Sequence, residues 1–523
     1  MPTKRLPLAH NIATRDGTLQ KDAKVGNAFI EIDRGENVAI VKRPGLVTYQ
    51  SATAGEGRGI FSTPNHFLSI VGTTLYVDGV SRGTVDGSDE YDFVSSVDNS
   101  QVFLKNEAKA YVYTFATNTL LDLSGTITTQ SATTNTTATV TLSASNSAIQ
   151  VGQNVTGTNI ASGTSVLTIS GTTLTLSQSA TGTGSTTLTF TTNYPTTTVS
   201  GAAFLDGYYV VGTPNGLLYN SNLEDPTTWQ SINYIGAVSD SDQLVAVNRT
   251  YNYIVAIGTQ TTEFFYDAGL SPGSPFLPYQ SNVLQFGLAA EDSVVQMDNT
   301  LVWVSQSKQR GRQVMALNGV TPQVVSTAYI DKVLDQSQNL DENMYAFSVK
   351  TMGHSFYVLS VKDLGFTLVY DFIQKGWTYW TSMDNNVEGY FKCLFYARYN
   401  NMDLMQHETN GKIYQFDPNT YEDDGNPIAV FARTPPVDFG NNERKFFRYS
   451  NIVGDKVDGY GLLRYSNDDY KTYSAWQNVN LNSMKCQNNR QGQARRRSYD
   501  FQFLDNEPLR QEYIEITFDQ GTE

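Results

Sequence analysis

One pattern recurs along this chain and restricts its fold more than any other. An apolar strand, a turn carrying Gly or Asn, and a second apolar strand ending in an aromatic follow one another. HFLSIVGTTLYVDG (66–79), FLDGYYVVGTPNGLLYNS (204–221), YNYIVAIGTQTTEFFYDAG (251–269), MGHSFYVLSVKDLGFTLVYDF (352–372) and LMQHETNGKIYQFD (404–417) all carry it. Each reads as a β-hairpin. Further short strands bounded by Gly, Asn and Asp are expected at 101–104, 111–115 and 301–304. Radial repetition of small sheets, which leaves only short protected edges, is the β-propeller pattern. The irregular spacing gives a range of five to seven blades. Only 326–338 reads as a helix, with Tyr329, Ile330, Val333 and Leu334 at helical spacing.

The 523 residues exceed the roughly 250–300 at which a single core stops growing, so several domains are expected. From Leu123 to Leu205 there is no Asp, Glu, Lys or Arg. Thr139, Thr141 and Ser143 alternate there with Val140 and Leu142, the period of a half-buried strand. The segment is therefore expected to be a small β-domain inserted into a propeller loop, with a flexible Thr-rich spacer as the competing reading. Past the proline-bearing turn at 416–440, a C-terminal β-sandwich or platform is expected. The fold class is thus all-β: residues 51–124 and 201–425 form an interrupted propeller, 125–200 the Thr/Ser-rich insert and 426–523 the platform, which the segment 1–50 joins.

The net charge of −15 argues against a face that grips nucleic acid and against binding to an anionic membrane. No run of 18 apolar residues exists to cross a membrane, and the first residues hold no apolar core of secretory length. Cys393 and Cys486 read as buried reduced thiols of a cytoplasmic chain. No catalytic, cofactor or metal motif appears. His10, His66, His354 and His407 lack metal-ligand spacing, and no nucleophile elbow, Walker loop or dinucleotide fingerprint is present. Glu291-Asp292 and Asp423-Asp424 read as carboxylates of solvated turns. The oxygen-rich turn from Asp417 to Gly425 lacks the spacing of an EF-hand loop.

Two constellations carry structural readings. Ser466, Asp468 and Thr472 fit an Asp-box, S-x-D-x-G-x-T-W, with Tyr470 in place of Gly and Tyr473 in place of Trp. In that motif the Asp ties its own hairpin turn. Arg495, Arg496 and Arg497 form the only dense basic cluster. Beside the reading as a solvated loop, they are candidates for an assembly interface with acidic neighbours.

Taken in order, several short motifs resemble the tail hub, or nozzle, proteins of short-tailed bacteriophages, also called packaged-DNA stabilisation proteins. Gly26-Asn27-Ala28-Phe29-Ile30-Glu31 and Lys42-Arg43-Pro44-Gly45-Leu46 look like that family's opening. Ala203–Tyr208, Tyr219–Leu223 with Trp229, Glu263–Gly269, Phe286–Ala289, Asn299–Val304 and Val369–Asp371 with Trp377 are similar to its middle. Tyr465–Asp468 and Arg495–Arg497 are similar to its end.

The resemblance implies a non-enzymatic virion protein, made in the host cytoplasm. It implies a homohexamer below a portal-adaptor ring, forming the lower DNA channel, retaining packaged DNA and attaching spikes or fibres and a needle or plug. Double-stranded DNA would pass without specific binding, no cofactor would be needed and no membrane insertion would occur. The competing readings are a glycan-binding adhesive propeller and a glycan-cleaving propeller enzyme.

Overall fold

The computed structural model describes residues 3–12, 23–32, 38–279, 283–308, 311–384 and 387–521. Seven small antiparallel sheets follow one another around a ring: blade 1 (57–84), blade 2 (92–122), blade 3 (203–236), blade 4 (244–278), blade 5 (287–324), blade 6 (344–384) and blade 7 (393–417). The protein is an all-β propeller at the upper end of the expected blade range. Blade 7 supplies three strands of its own. Its fourth, outermost strand is Gly45–Ser51, which pairs antiparallel with Lys412–Asp417 and so closes the ring. The segment before blade 1 is therefore divided: Gly45–Ser51 belongs to the propeller, whereas the strands of 3–42 join the platform.

The apolar runs follow from burial on both faces. On the blade 2 strand Gln101–Lys105, Val102 and Leu104 pack against blade 1 with Leu68, Ile70 and Leu75. Phe103 between them faces Tyr209 and Trp229 of blade 3. Blade 4 repeats this: Ile254 and Ala256 meet blade 3, while Val255 and Ile257 meet Leu301 and Trp303 of blade 5. Successive side chains of a strand point to opposite faces, so a strand between two neighbours must be apolar at every position. Seven separate apolar clusters, one per blade junction, result; the last joins Ile60 and Phe67 of blade 1 to Leu404 and Ile413 of blade 7. Helix Ala328–Leu334, capped by the Thr327 side chain, seals the junction of blades 5 and 6 with Tyr329, Ile330, Val333 and Leu334.

Between blades 2 and 3 the chain builds a separate six-stranded sheet within 126–191. Val140 and Leu142 point in while Thr139 and Thr141 point out. A bridge between Asn154 and Ser165 draws the sheet's edges together over a core that includes Leu174, Leu188 and Phe190. The residues after it return to the propeller. Tyr194 packs edge-on against Trp229 at a centroid distance of 5.0 Å, and the Thr198 hydroxyl donates to the Asn106 carbonyl.

The C-terminal unit is two packed sheets around a core that includes Phe447, Tyr499, Phe501 and Ile514. One of them is not separate from the propeller. Lys24–Gly26 lies parallel to Gly376–Asp384 of blade 6 and antiparallel to Val430–Arg433, so a single ten-stranded sheet runs from blade 6 into the platform.

Replacing 126–191 with a short Gly/Ser loop should leave the propeller's unfolding transition intact. Tyr194→Ala should destabilise it by about 3 kcal/mol, the cost of emptying a large aromatic site. Denaturant titration of the two variants checks this.

Candidate functional site

Arg43 is fully buried and uses all five of its N–H donors. Nη1 and Nη2 meet Asp423 Oδ1 and Oδ2 at 2.9 and 2.5 Å. The remaining donors reach the Pro44 carbonyl (3.0 Å), the Thr381 carbonyl (3.0 Å) and Asn27 Oδ1 (3.1 Å). Asn27, at φ 52°, donates in turn to Thr381 Oγ1 and the Ala429 carbonyl. Gly45 follows because a Cβ there would collide with backbone atoms of Glu422 and Thr420. The Asn27 and Arg43-Pro44-Gly45 motifs are thus one joint between the N-terminal strands, blade 6 and the turn after blade 7. Of the turn's other carboxylates, Asp417 caps it through the Asn419 and Thr420 side chains, and Asp424 receives Lys412 Nζ at 2.6 Å. Among the described residues no three His, Cys, Asp or Glu are arranged to hold a metal ion.

The Asp-box residues meet in one turn. Thr472 N and Oγ1 donate to Asp468 at 2.9 and 2.6 Å, and Ser466 Oγ donates to Asp468 at 2.9 Å. Those bonds, that of the Thr472 hydroxyl foremost, hold the carboxyl at about 2. Tyr470 sits at φ 68°, a conformation that favours glycine, and its hydroxyl donates to the Thr434 carbonyl.

The three arginines do not form one patch. Arg495 is exposed and donates to the Asn442 carbonyl, and Arg496 pairs with Asp469. Arg497 is fully buried, its guanidinium held between the Phe447 and Tyr465 rings at 3.8 Å from each, with Nη2 on the Gln491 carbonyl. Arg497 is therefore corrected from an interface candidate to a core residue. It directly precedes the strand Ser498–Phe503, where the backbone turns its side chain inward.

A second correction concerns Glu291-Asp292. They do not lie in a solvated turn but at the propeller axis, where the inner ends of the blades meet around a cavity. Asp92 and Glu107 of blade 2, with Asp89 and Glu90 of the segment that leads into it, line the same space. Lys105 Nζ is fixed by Asp92 (3.1 Å) and the carbonyls of Val199 (2.6 Å) and Gly201 (3.1 Å). Burial, then the hydrogen bond and charge of Asp89, push Glu90 up to about 8. Burial and the charges of Glu107, Asp341 and Asp89 push Glu291 up to about 8 as well. Asp292 is raised well above the carboxylate range by burial and by Glu90 and Glu291. Nothing in the linear sequence marks this cluster, whose halves lie some two hundred residues apart.

The histidines stay apart. His354 Nδ1 bonds Asp371 Oδ2 at 2.6 Å beneath Phe356, and His66 Nδ1 bonds Asp78 at 2.7 Å. Burial lowers His407 to about 4, and Cys393 and Cys486 are buried and unpaired.

A family model described as bacteriophage P22 Gp10, β-propeller, matches residues 124–421, more than half of the chain. The chain belongs to that family. It is a bacteriophage structural protein of the packaged-DNA stabilisation type, built on a β-propeller. The matched range runs from the insert through blades 3 to 7, so Asn27, Arg43, Asp423 and the platform lie outside it. Among solved structures, a chain of the mitotic checkpoint complex shares 11% identity over 74% of this chain and 94% of its own, with a TM-score of 0.38. The Pan2 WD40 domain of Neurospora crassa shares 8% identity over 72% and 95%, and the designed protein Ika8 12% over 71% and 99%, each with a TM-score of 0.34. No curated protein matches the chain.

Two outcomes follow from these sites. Asp423→Asn should cost about 3–5 kcal/mol by leaving the Arg43 charge buried without its partner, measured as the shift in denaturation midpoint. For Glu90 and Glu291 the folded-state value is raised, so their contribution to stability is complete below about 4.5 and is lost as pH rises to about 8. The variant Glu90→Gln/Glu291→Gln should therefore gain in Tm relative to the parent as pH goes from 5 to 9. Calorimetry at several pH values reads that difference.

Proposed function

We propose that the protein is the homohexameric hub, or nozzle, of a short phage tail, and that it sits below a portal-adaptor ring. It forms the lower DNA channel, retains packaged DNA and offers attachment surfaces to spikes or fibres and to a needle or plug. Its family membership carries this reading. Charge supports it: six copies hold 6 × −15 = −90 formal charges. An acidic wall repels phosphate and suits passage of double-stranded DNA without specific binding. The ten-stranded sheet that ties blade 6 to the platform suits a load-bearing subunit.

Closed rings are built from a heterologous interface in which two different patches of each subunit meet. Arg495 and Arg496 are the exposed members of the basic cluster and belong to one candidate patch. Electron microscopy of the purified protein should show six-fold rings. Arg495→Glu/Arg496→Glu should keep the parent's circular dichroism and assemble less well. A protein that stays monomeric at high concentration and fails to join purified tails would refute the hub. Unchanged assembly of the charge-reversed variant would place the interface elsewhere.

A further inference from the structure

The axial cavity has a composition that tail architecture does not require. Its volume is about 160 Å3. Asp92 and Glu107 of blade 2 face it, with Asp89 and Glu90 of the segment leading into that blade, and Glu291 and Asp292 face it from blade 5, with Asp341 behind Glu291. The cations near these carboxyls are engaged. Lys105 is held by Asp92 and two carbonyls, and Arg58 of blade 1 pairs with Glu56. At full ionisation six carboxylates would face one another with little compensation, a state the cluster escapes by holding protons.

A second feature points into the same space. Tyr345, on the innermost strand of blade 6, is 8% exposed and lines the cavity. Lys362 Nζ lies over its ring at 4.8 Å. Its hydroxyl, however, makes no hydrogen bond to any described residue, although Glu90, Asp292 and Asp89 are the charges it feels most. The rest of the lining is mixed: Val294, Leu394 and Phe395 form an apolar side, and Asn106, Ser200 and Asn248 add neutral polar groups. A metal ion is a poor match, since no three donors converge on one point among the described residues. A side chain with a long apolar stem and a planar, many-donor cationic head matches both halves of the lining.

We propose that the axial cavity receives an arginine side chain from a basic segment of a partner protein. The guanidinium meets Glu90, Glu291 and Asp292, the Tyr345 hydroxyl supplies a further polar contact, and the stem lies against Val294, Leu394 and Phe395. Docking ionises the cluster, so each arginine bound expels protons to solvent. The cavity is formed within a single chain and does not depend on the oligomeric state.

The test is calorimetric titration of the full chain with a nine-residue peptide of alternating Gly and Arg, and with the same peptide carrying citrulline for Arg. The arginine peptide should bind and the neutral one should not. Affinity should rise roughly tenfold per pH unit for each proton released between pH 6 and 8. Glu291→Gln/Asp292→Asn should weaken binding at least about tenfold, and Tyr345→Phe, which keeps the ring's packing, several-fold with an unchanged Tm. Asp458→Asn/Glu507→Gln, exposed acids of the platform, should bind as the parent does. No binding, pH-independent binding, equal binding by the cavity variants, or saturable binding of calcium chloride without the peptide would each overturn the proposal.

Discussion

Arg43 is the point on which the two halves of this molecule depend. Its guanidinium has no donor to spare, and each acceptor belongs to a different part of the chain: the Asn27 bend, the last strand of blade 6 and the turn behind blade 7. A buried ion pair often contributes little net stability compared with an apolar substitute, but it fixes geometry, because any other arrangement strands a charge. That explains why the neighbouring positions are so restricted. Gly26 touches the Tyr379 ring where a Cβ would collide, and Gly45 passes against the Glu422 backbone. The platform is held to the propeller by a site that tolerates one register of Lys24–Gly26 against blade 6, and through it one continuous sheet.

The same selectivity does not govern the ring itself. Blade junctions are apolar, one cluster per pair of neighbours, with middle strands contributing alternate residues to either side. Such contacts are non-directional, and they set the spacing of blades more than their identity. At the axis carboxyls from separate blades come within reach of one another, beside apolar side chains such as Leu394 and Phe395.

Much of this was legible in the residues, and what was missed has a common cause. The hairpins, the helix near 328–334 and the in-out alternation of Val140 and Leu142 are local, and local periodicity reveals them. The Asp468 turn is equally local, since its partners lie within four residues. Arg497 was misjudged because three adjacent arginines look like one surface, yet only the backbone decides that the third turns into the core. Glu291 and Asp292 look like any acidic turn until blade 2 brings Glu90 and Glu107 beside them. The sequence boundary of the insert overran for a similar reason: Tyr194 and Thr198 share its uncharged composition but pack on blades 2 and 3.

The closing strand has a consequence for how the molecule is made. Gly45–Ser51 finds its partner only when Lys412–Asp417 has been synthesised, a wait of 412 − 51 = 361 residues. At roughly 5–20 residues per second this is roughly 20–70 s on the ribosome. Throughout that interval the open ring presents an unpaired strand at one end and the apolar faces of Ile60 and Phe67 awaiting Leu404 and Ile413. The nascent chain is therefore at its most adhesive just before closure, when its unpaired strand and uncovered apolar faces could pair with those of another copy.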